Sequence, residues 1–275
     1  MSLLELKTKI DISYDLDLKN LNEINFSKLN KKKISAISLE YNFKKIKLSE
    51  VFNIQILTEK KNNKKIIIIG SNKFFRNIGF KWKENSLCIK GDVGSYLGHR
   101  MEGGLVEVKG SAENFVACKM TGGKIIIDGT VGDYTGSADF GERIGMNGGV
   151  VVIKKNAGNY LGNFMRRGVI IIGGHVKDNC CNNFIAGTIV VNGNVGKNLA
   201  INMKRGTIIT NCKKAIPQKK FINCGDQKID FYNIFNKYFR NDLGVQSKLK
   251  NFVKYVGDTD VNGYGEILLR KSNQK

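Results

Sequence analysis

One residue spacing dominates this chain. Gly91, Gly94, Gly98, Met101, Gly104 and the run Leu105-Val106-Glu107-Val108 return nineteen residues on as Gly110, Ala117, Met120, Gly123 and Ile125-Ile126-Ile127. Another nineteen bring Gly129, Gly132 and Gly136, then seven extra residues intervene before Met146, Gly149 and Val150-Val151-Val152-Ile153. The register resumes with Gly162, Met165, Gly168 and Val169 to Ile172, then Phe184, Gly187 and Thr188 to Val191, then Ala200, Met203, Gly206 and Thr207 to Ile209. A worn copy comes first, with Gly79 and Trp82 in the slots of Gly98 and Met101, behind a leading run Ile66 to Ile69. The repeat spans residues 64–212.

A period this short excludes most architectures. Each copy holds one β-branched run, which favours a strand, and glycines at fixed offsets, where a chain turns through positive φ or passes close to another backbone. A strand plus a crossover helix needs about 30 residues. Nineteen residues instead suit one coil of a solenoid whose rungs stack about 4.8 Å apart. The expected fold is therefore mainly β: a right-handed parallel β-helix of about seven 19-residue rungs. Equivalent side chains then stack, so Met101, Met120, Met146, Met165, Phe184 and Met203 form one column, expected as a buried apolar stack and not a metal or redox site.

The flanks lack the period, which divides the chain into a small mixed N-terminal cap (1–60), the glycine-rich β-helix (61–212) and a C-terminal helix plus extended tail (213–275). Leu3 to Ile12 alternates as a strand, Phe26 to Leu39 is weakly helical, and Lys47 to Leu57 suggests a second strand. Phe231, Ile234, Phe235 and Tyr238 recur at helical spacing, predicting an amphipathic helix over 227–240. The tail from Val245 is long enough to run along the solenoid or to reach a neighbour.

The net charge of +21 attracts anions, yet only eight of the 45 basic residues are arginine, and lysine with asparagine is enriched throughout. Position therefore matters more than total. Arg100, Lys119, Arg166, Arg167, Lys204 and Arg205 all fall within three residues of the methionine column, and half of the arginines are among them. Guanidinium groups suit carboxylate and phosphate partners, so this corner reads either as a polyanion-binding stripe or as a solvated turn.

The usual catalytic signatures are absent: His-Glu-x-x-His, Gly-x-Ser-x-Gly and a phosphate loop. Asp139-Phe140-Gly141 spells a kinase tripeptide without any companion element. Cys180-Cys181 reads as packing. Six cysteines without a Cys-x-x-Cys pair give no disulfide framework. Met1 to Ile10 lacks the apolar core of an export leader, and no apolar run approaches the ~18 residues of a membrane span. The expectation is a cytoplasmic, membrane-free protein.

The pattern Gly-x-x-Gly-x-x-x-Gly-x-x-Met-x-x-Gly followed by an aliphatic strand resembles a glycine-rich β-helix family. Its members are the C-terminal domain of the glutamate synthase large subunit, and the glycine-rich subunits of formylmethanofuran dehydrogenase and of its bacterial relative, the formyltransferase/hydrolase complex. Ser137-Ala138-Asp139-Phe140-Gly141-Glu142-Arg143 is similar to an insertion of those glycine-rich subunits, and Met165-Arg166-Arg167-Gly168 to their Met-Arg-Arg-Gly corner. Phe221-Ile222-Asn223-Cys224-Gly225, Gly257-Asp258 and Gly263 to Leu268 are similar to the tail of the bacterial version.

The resemblance implies one-carbon metabolism, in which a formyl group passes from a tetrahydromethanopterin carrier to a methanofuran-type carrier and is released as formate. It places the reacting centres in amidohydrolase-like, formyltransferase and dehydrogenase-like partner subunits. This chain is then a structural partner with no catalytic residue, metal or cofactor of its own. The carrier's polyglutamate tail would be the polyanion held by Arg100, Lys119, Arg166, Arg167, Lys204 and Arg205. A tungsten or molybdenum dehydrogenase context and a glutamate-synthase-like structural domain are the alternatives. A nucleic-acid-binding solenoid ranks below them, because the repeat offers few aromatic stacking positions.

Overall fold

In the computed structural model, described over residues 2–24, 29–58, 64–217, 219–228 and 251–270, the chain is mainly β, with only short helical turns. The strands Lys65–Ser71, Ser86–Gly91, Leu105–Val108, Lys124–Ile127, Asn147–Ile153, Arg167–Ile172, Thr188–Val191 and Thr207–Thr210 pair in sequence order, every pair parallel. The register follows the sequence period: Leu105 faces Lys124, Val150 faces Val169, Val169 faces Thr188 and Thr188 faces Thr207. A second ladder runs beside it as single bridges, Val93 to Ala112 to Val131 and Ala157 to Val176 to Val195. Each nineteen-residue unit thus hydrogen-bonds to the next along its length, forming one coil.

Alternation sets the inner face, while the intervening Val152, Ile171, Val190 and Ile209 are buried in a second cluster with Phe252 and Leu268. Val106, Val108, Ile125, Ile127, Val151, Ile153, Ile170, Ile172, Ile189 and Ile208 point inward and are buried. The column Met101, Met120, Met146, Met165, Phe184 and Met203 is wholly inaccessible, with Trp82 beneath it. The glycine that follows each methionine makes room for the column. A Cβ on Gly123 would lie 2.7 Å from Met101 Cε, and one on Gly149 would lie 2.6 Å from Met120 Cε.

Side-chain acceptors supplement the ladders where strands give way to turns. Asn114 Oδ1 accepts from Asp133 N, Asp133 Oδ1 from Asn159 N, Asn159 Oδ1 from Asp178 N, and Asp178 Oδ1 from Lys197 N. His175 joins a parallel column, where its Nδ1 accepts from Asn194 N at 2.8 Å. That bond makes it a structural rung.

Both ends of the stack are covered by strands. Ser2–Thr8 adds parallel to Lys65–Ser71 and antiparallel to Phe52–Thr58. The expected weak helix before it reduces, among described residues, to Lys31–Ser35, and Leu48–Val51 is a helical turn before the strand Phe52–Thr58. At the other end the tail folds back: Gly265–Arg270 adds parallel to Thr207–Thr210, and Asn251–Gly257 and Ile222–Lys228 follow antiparallel. Asp258 is fully buried there and accepts from Asn202 N at 3.0 Å. Of the helix expected over 227–240, Gln227 and Lys228 lie in a strand instead, and the rest falls outside the described residues.

Candidate functional site

The corner before the methionine column is built from alternate left-handed residues. Tyr96, Gly98 and Arg100 have φ of 65°, 66° and 55°, and Phe115, Ala117 and Lys119 repeat this at 61°, 54° and 56°. Turns close across it, with His99 N donating to Tyr96 O and Met101 N to Gly98 O. This alternation turns one residue inward and its neighbours outward, so columns of outward side chains stand beside the core.

The first column is aromatic. Tyr96, Phe115, Tyr134 and Tyr160 stack with centroids 4.8, 5.0 and 4.9 Å apart and planes within 5° of parallel. It passes to asparagine farther on, where Asn198 Nδ2 donates to Asn179 Oδ1. The constant offset made it visible in sequence, and it corrects the expectation that the repeat has few aromatic stacking positions.

The second and third columns place His99 beside Cys118 and Arg100 beside Lys119, on consecutive coils. The seven extra residues fold back over them. Lys119 N donates to Ser137 O and Ala138 N to Asn163 O, continuing the bond of Arg100 N to Cys118 O. Met146 N donates to Gly136 O as Met120 N does to Ala117 O, so Ser137 and Ala138 keep the register and the extra residues are 139–145, not the 137–143 suggested by sequence. From this loop Asp139 Oδ2 accepts from His99 Nε2 at 3.2 Å and from Arg100 at 3.0 Å, and Oδ1 accepts from the Cys118 thiol at 3.2 Å. Glu142 pairs with Lys119 and lies 3.6 Å from Arg100. Phe140 sets its edge against the rings of Phe115 and Tyr134 while remaining 75% exposed.

Electrostatics follow from this geometry. Burial alone would raise the Asp139 carboxyl, but the hydrogen bonds from Arg100, Cys118 and His99 outweigh it and hold the group below the usual carboxylate range. Burial lowers His99 against the opposing pull of Asp139, leaving a neutral imidazole that donates from Nε2. Burial and the neighbouring carboxylate push the Cys118 thiol far up. A thiol that is protonated and donates to a carboxylate is not an activated nucleophile. Cys180 and Cys181, with sulfurs 3.6 Å apart and no exposure, are likewise packing groups.

The six basic residues singled out by sequence fall into two groups. Arg100 and Lys119 share one offset, extended backwards by Lys81; Arg100 is engaged by Asp139 and Glu142, and Lys119 by Glu142. Arg166 and Lys204 share the offset just after the methionine column, and Arg167 and Arg205 the next. All four are exposed, and no carboxylate among the described residues pairs with them. Sequence reasoning missed Asp139, Glu142, His99 and Cys118, because the loop that unites them lies outside the period. Among the described residues, the imidazole, thiol and carboxylate of His99, Cys118 and Asp139 form a group of metal-ligating types, their donor atoms all within 4.8 Å of one another. No helix among these residues is long and apolar enough to cross a membrane.

Comparison with known proteins agrees with the repeat. No curated protein sequence matches the chain. Among solved structures, a chain of the formyltransferase/hydrolase complex FhcABCD from Methylorubrum extorquens, determined in complex with methylofuran, superposes with a TM-score of 0.83 at 28% identity. The match covers 98% of this chain and 100% of that one. The model of the GXGXG motif family matches residues 41–266, and with glycines recurring in every coil over that span, the chain belongs to the GXGXG motif family.

Proposed function

We propose that this chain is the non-catalytic, glycine-rich member of a formyltransferase/hydrolase-type complex in methanofuran-dependent one-carbon metabolism. The observation that carries the reading is the end-to-end match to a whole chain of such a complex. In this reading the stacked coils are a right-handed parallel β-helix, residues 1–60 and 213–275 are its caps, and catalysis belongs to cytoplasmic partner subunits. A protonated, buried Cys118 and a His175 committed to a backbone N–H support a scaffold over a reacting centre.

The carrier's polyglutamate tail runs along the exposed Arg166, Arg167, Lys204 and Arg205. These cations repeat two coils apart at matching offsets, which suits a chain of carboxylates held by exchangeable contacts. Arg100 and Lys119 join the stripe only by exchanging Asp139 and Glu142 for carrier carboxylates.

Affinity purification of the chain from its native cytoplasm, with identification of partners and metals, tests the assignment. Recovery with a formyltransferase and an amidohydrolase supports it. Recovery with a tungsten or molybdenum protein moves it to the dehydrogenase, and recovery of the chain alone defeats it. For the stripe, replacing Arg166, Arg167, Lys204 and Arg205 by Ala should weaken polyglutamate binding at least tenfold at low salt. Unchanged binding removes the stripe from the proposal.

A further inference from the structure

Asp139 gathers an imidazole nitrogen and a thiol sulfur from two coils onto one carboxylate, and the proposed scaffold role does not need that convergence. We propose that His99, Cys118 and Asp139 form a binding site for a divalent cation of the zinc class. The site is independent of the assignment to a complex, since it rests only on these three side chains.

The spacing suits the ion. A tetrahedral centre with zinc–nitrogen and zinc–oxygen bonds of about 2.0–2.1 Å and a zinc–sulfur bond of about 2.3 Å sets these ligand atoms roughly 3.3–3.6 Å apart. Asp139 Oδ2 lies 3.2 Å from His99 Nε2 and its Oδ1 3.2 Å from Cys118 Sγ, and with one ligand atom from each residue no donor pair exceeds 4.8 Å. Small rotamer changes bring all three to one centre, and Asp139 stands on a loop bordered by exposed residues that can follow.

The donor set selects the ion. Magnesium and calcium demand oxygen ligands, and several of them, whereas one nitrogen, one sulfur and one oxygen suit zinc and its borderline neighbours. The charges also balance, because thiolate and carboxylate together neutralise the divalent cation. Two protons now occupy the region between the donors. On binding, the thiol proton leaves to solvent and the Nε2 proton shifts to Nδ1, so one proton is released per ion. Arg100 keeps its bond to Asp139 Oδ2 and orients the carboxylate from outside the ligand set.

Access is adequate and the site is partly shielded. Cys118 is fully buried, while the side chains of His99 and Asp139 are 14% and 20% exposed. An ion enters past Asp139, and a fourth position stays open on that side. The bound ion would staple residues 139–145 to two coils.

The test uses the purified full chain, stripped with a chelator and titrated with zinc or cobalt alone. One equivalent should be retained after desalting, and the cobalt form should show tetrahedral d–d bands with a thiolate charge-transfer band. Cys118→Ser should abolish the charge-transfer band, and Asp139→Asn, on the exposed loop where it spares the coils, should weaken binding at least tenfold. Cys224→Ser, at an exposed cysteine, and His175→Asn, which keeps a side-chain acceptor, should leave both readouts unchanged. Zinc should raise the melting temperature of the parent chain but not of Asp139→Asn. Retention well below one equivalent, or binding indifferent to Cys118→Ser and Asp139→Asn, overturns the proposal, as does loss of binding on Cys224→Ser.

Discussion

The rings of Tyr134 and Tyr160 stack 4.9 Å apart with planes 1° from parallel, although 26 residues separate them where 19 separate Tyr96 from Phe115. The additional seven residues leave the coil between Ala138 and Met146 and return without disturbing the columns on either side. Excising 139–145 should therefore preserve a cooperative fold. The loss combines the edge contacts of Phe140 with Phe115 and Tyr134, each worth about 0.5–1.5 kcal/mol, with the bonds of Asp139 to His99, Arg100 and Cys118, so a total above about 3 kcal/mol is expected from denaturant unfolding. A chain that no longer unfolds cooperatively would show that the loop belongs to the folding unit.

Gly98 is set by a side chain from the next coil. A Cβ there would lie 2.3 Å from Ile125 Cδ1, whereas at the equivalent Gly79 the facing Val106 leaves 3.5 Å. Ala117 occupies the same slot at φ 54°, so the left-handed backbone alone does not forbid alanine. Gly98→Ala should cost about 1–3 kcal/mol through overpacking. Ile125→Val removes the clashing methyl and by itself costs roughly 0.5–1.5 kcal/mol. The double variant should be clearly more stable than the sum of the two losses; simple additivity in a double-mutant cycle would refute the steric account.

Phe115 sits between Tyr96 and Tyr134 and also meets Phe140, whereas Tyr160 stacks on Tyr134. Asparagine holds the same offset at Asn179 and Asn198 with φ of 59° and 60°, so Phe115→Asn, at a native φ of 61°, keeps the backbone and deletes the ring. The expected loss is on the order of 3 kcal/mol, with a clear change in the near-ultraviolet circular dichroism of the tyrosines. Tyr160→Asn should lose markedly less. Equal losses would mean that stacking contributes little beyond burial.

The coils are legible in the sequence because their evidence is periodic: six residues of the methionine column share one offset, and all are buried. The returning strand Gly265–Arg270 is not, because 59 residues separate Thr207 from its partner Glu266 and no repeat links them. The segment ahead of the repeat shows only in outline, since its helices among the described residues, at most five residues long, carry no measurable period. Asp139, within a tripeptide that has no companion motif, is opaque for a related reason. Its meaning lies in reaching back to His99 and Cys118, a contact that local sequence does not encode.

Asp128 stands between two lysines from different coils, 3.4 Å from Lys109 Nζ and 2.8 Å from Lys154 Nζ. Burial would raise its carboxyl, but the hydrogen bonds and charges of the two lysines prevail and hold it below the ordinary carboxylate range. A depressed value in the folded state means that the unfolded chain binds the proton more readily as pH falls. The stabilisation is therefore complete above the ordinary carboxylate value and vanishes as pH drops through the folded one. Each half-exposed pair contributes on the order of 0.2–1 kcal/mol. Asp128→Asn, which leaves Lys109 and Lys154 facing each other uncompensated, should lower the melting temperature at pH 7. The gap between variant and parent should narrow in high salt and close once the pH falls below the depressed folded-state value, where the parent carboxyl is itself protonated. A gap that persists unchanged in acid would assign the loss to packing and not to charge.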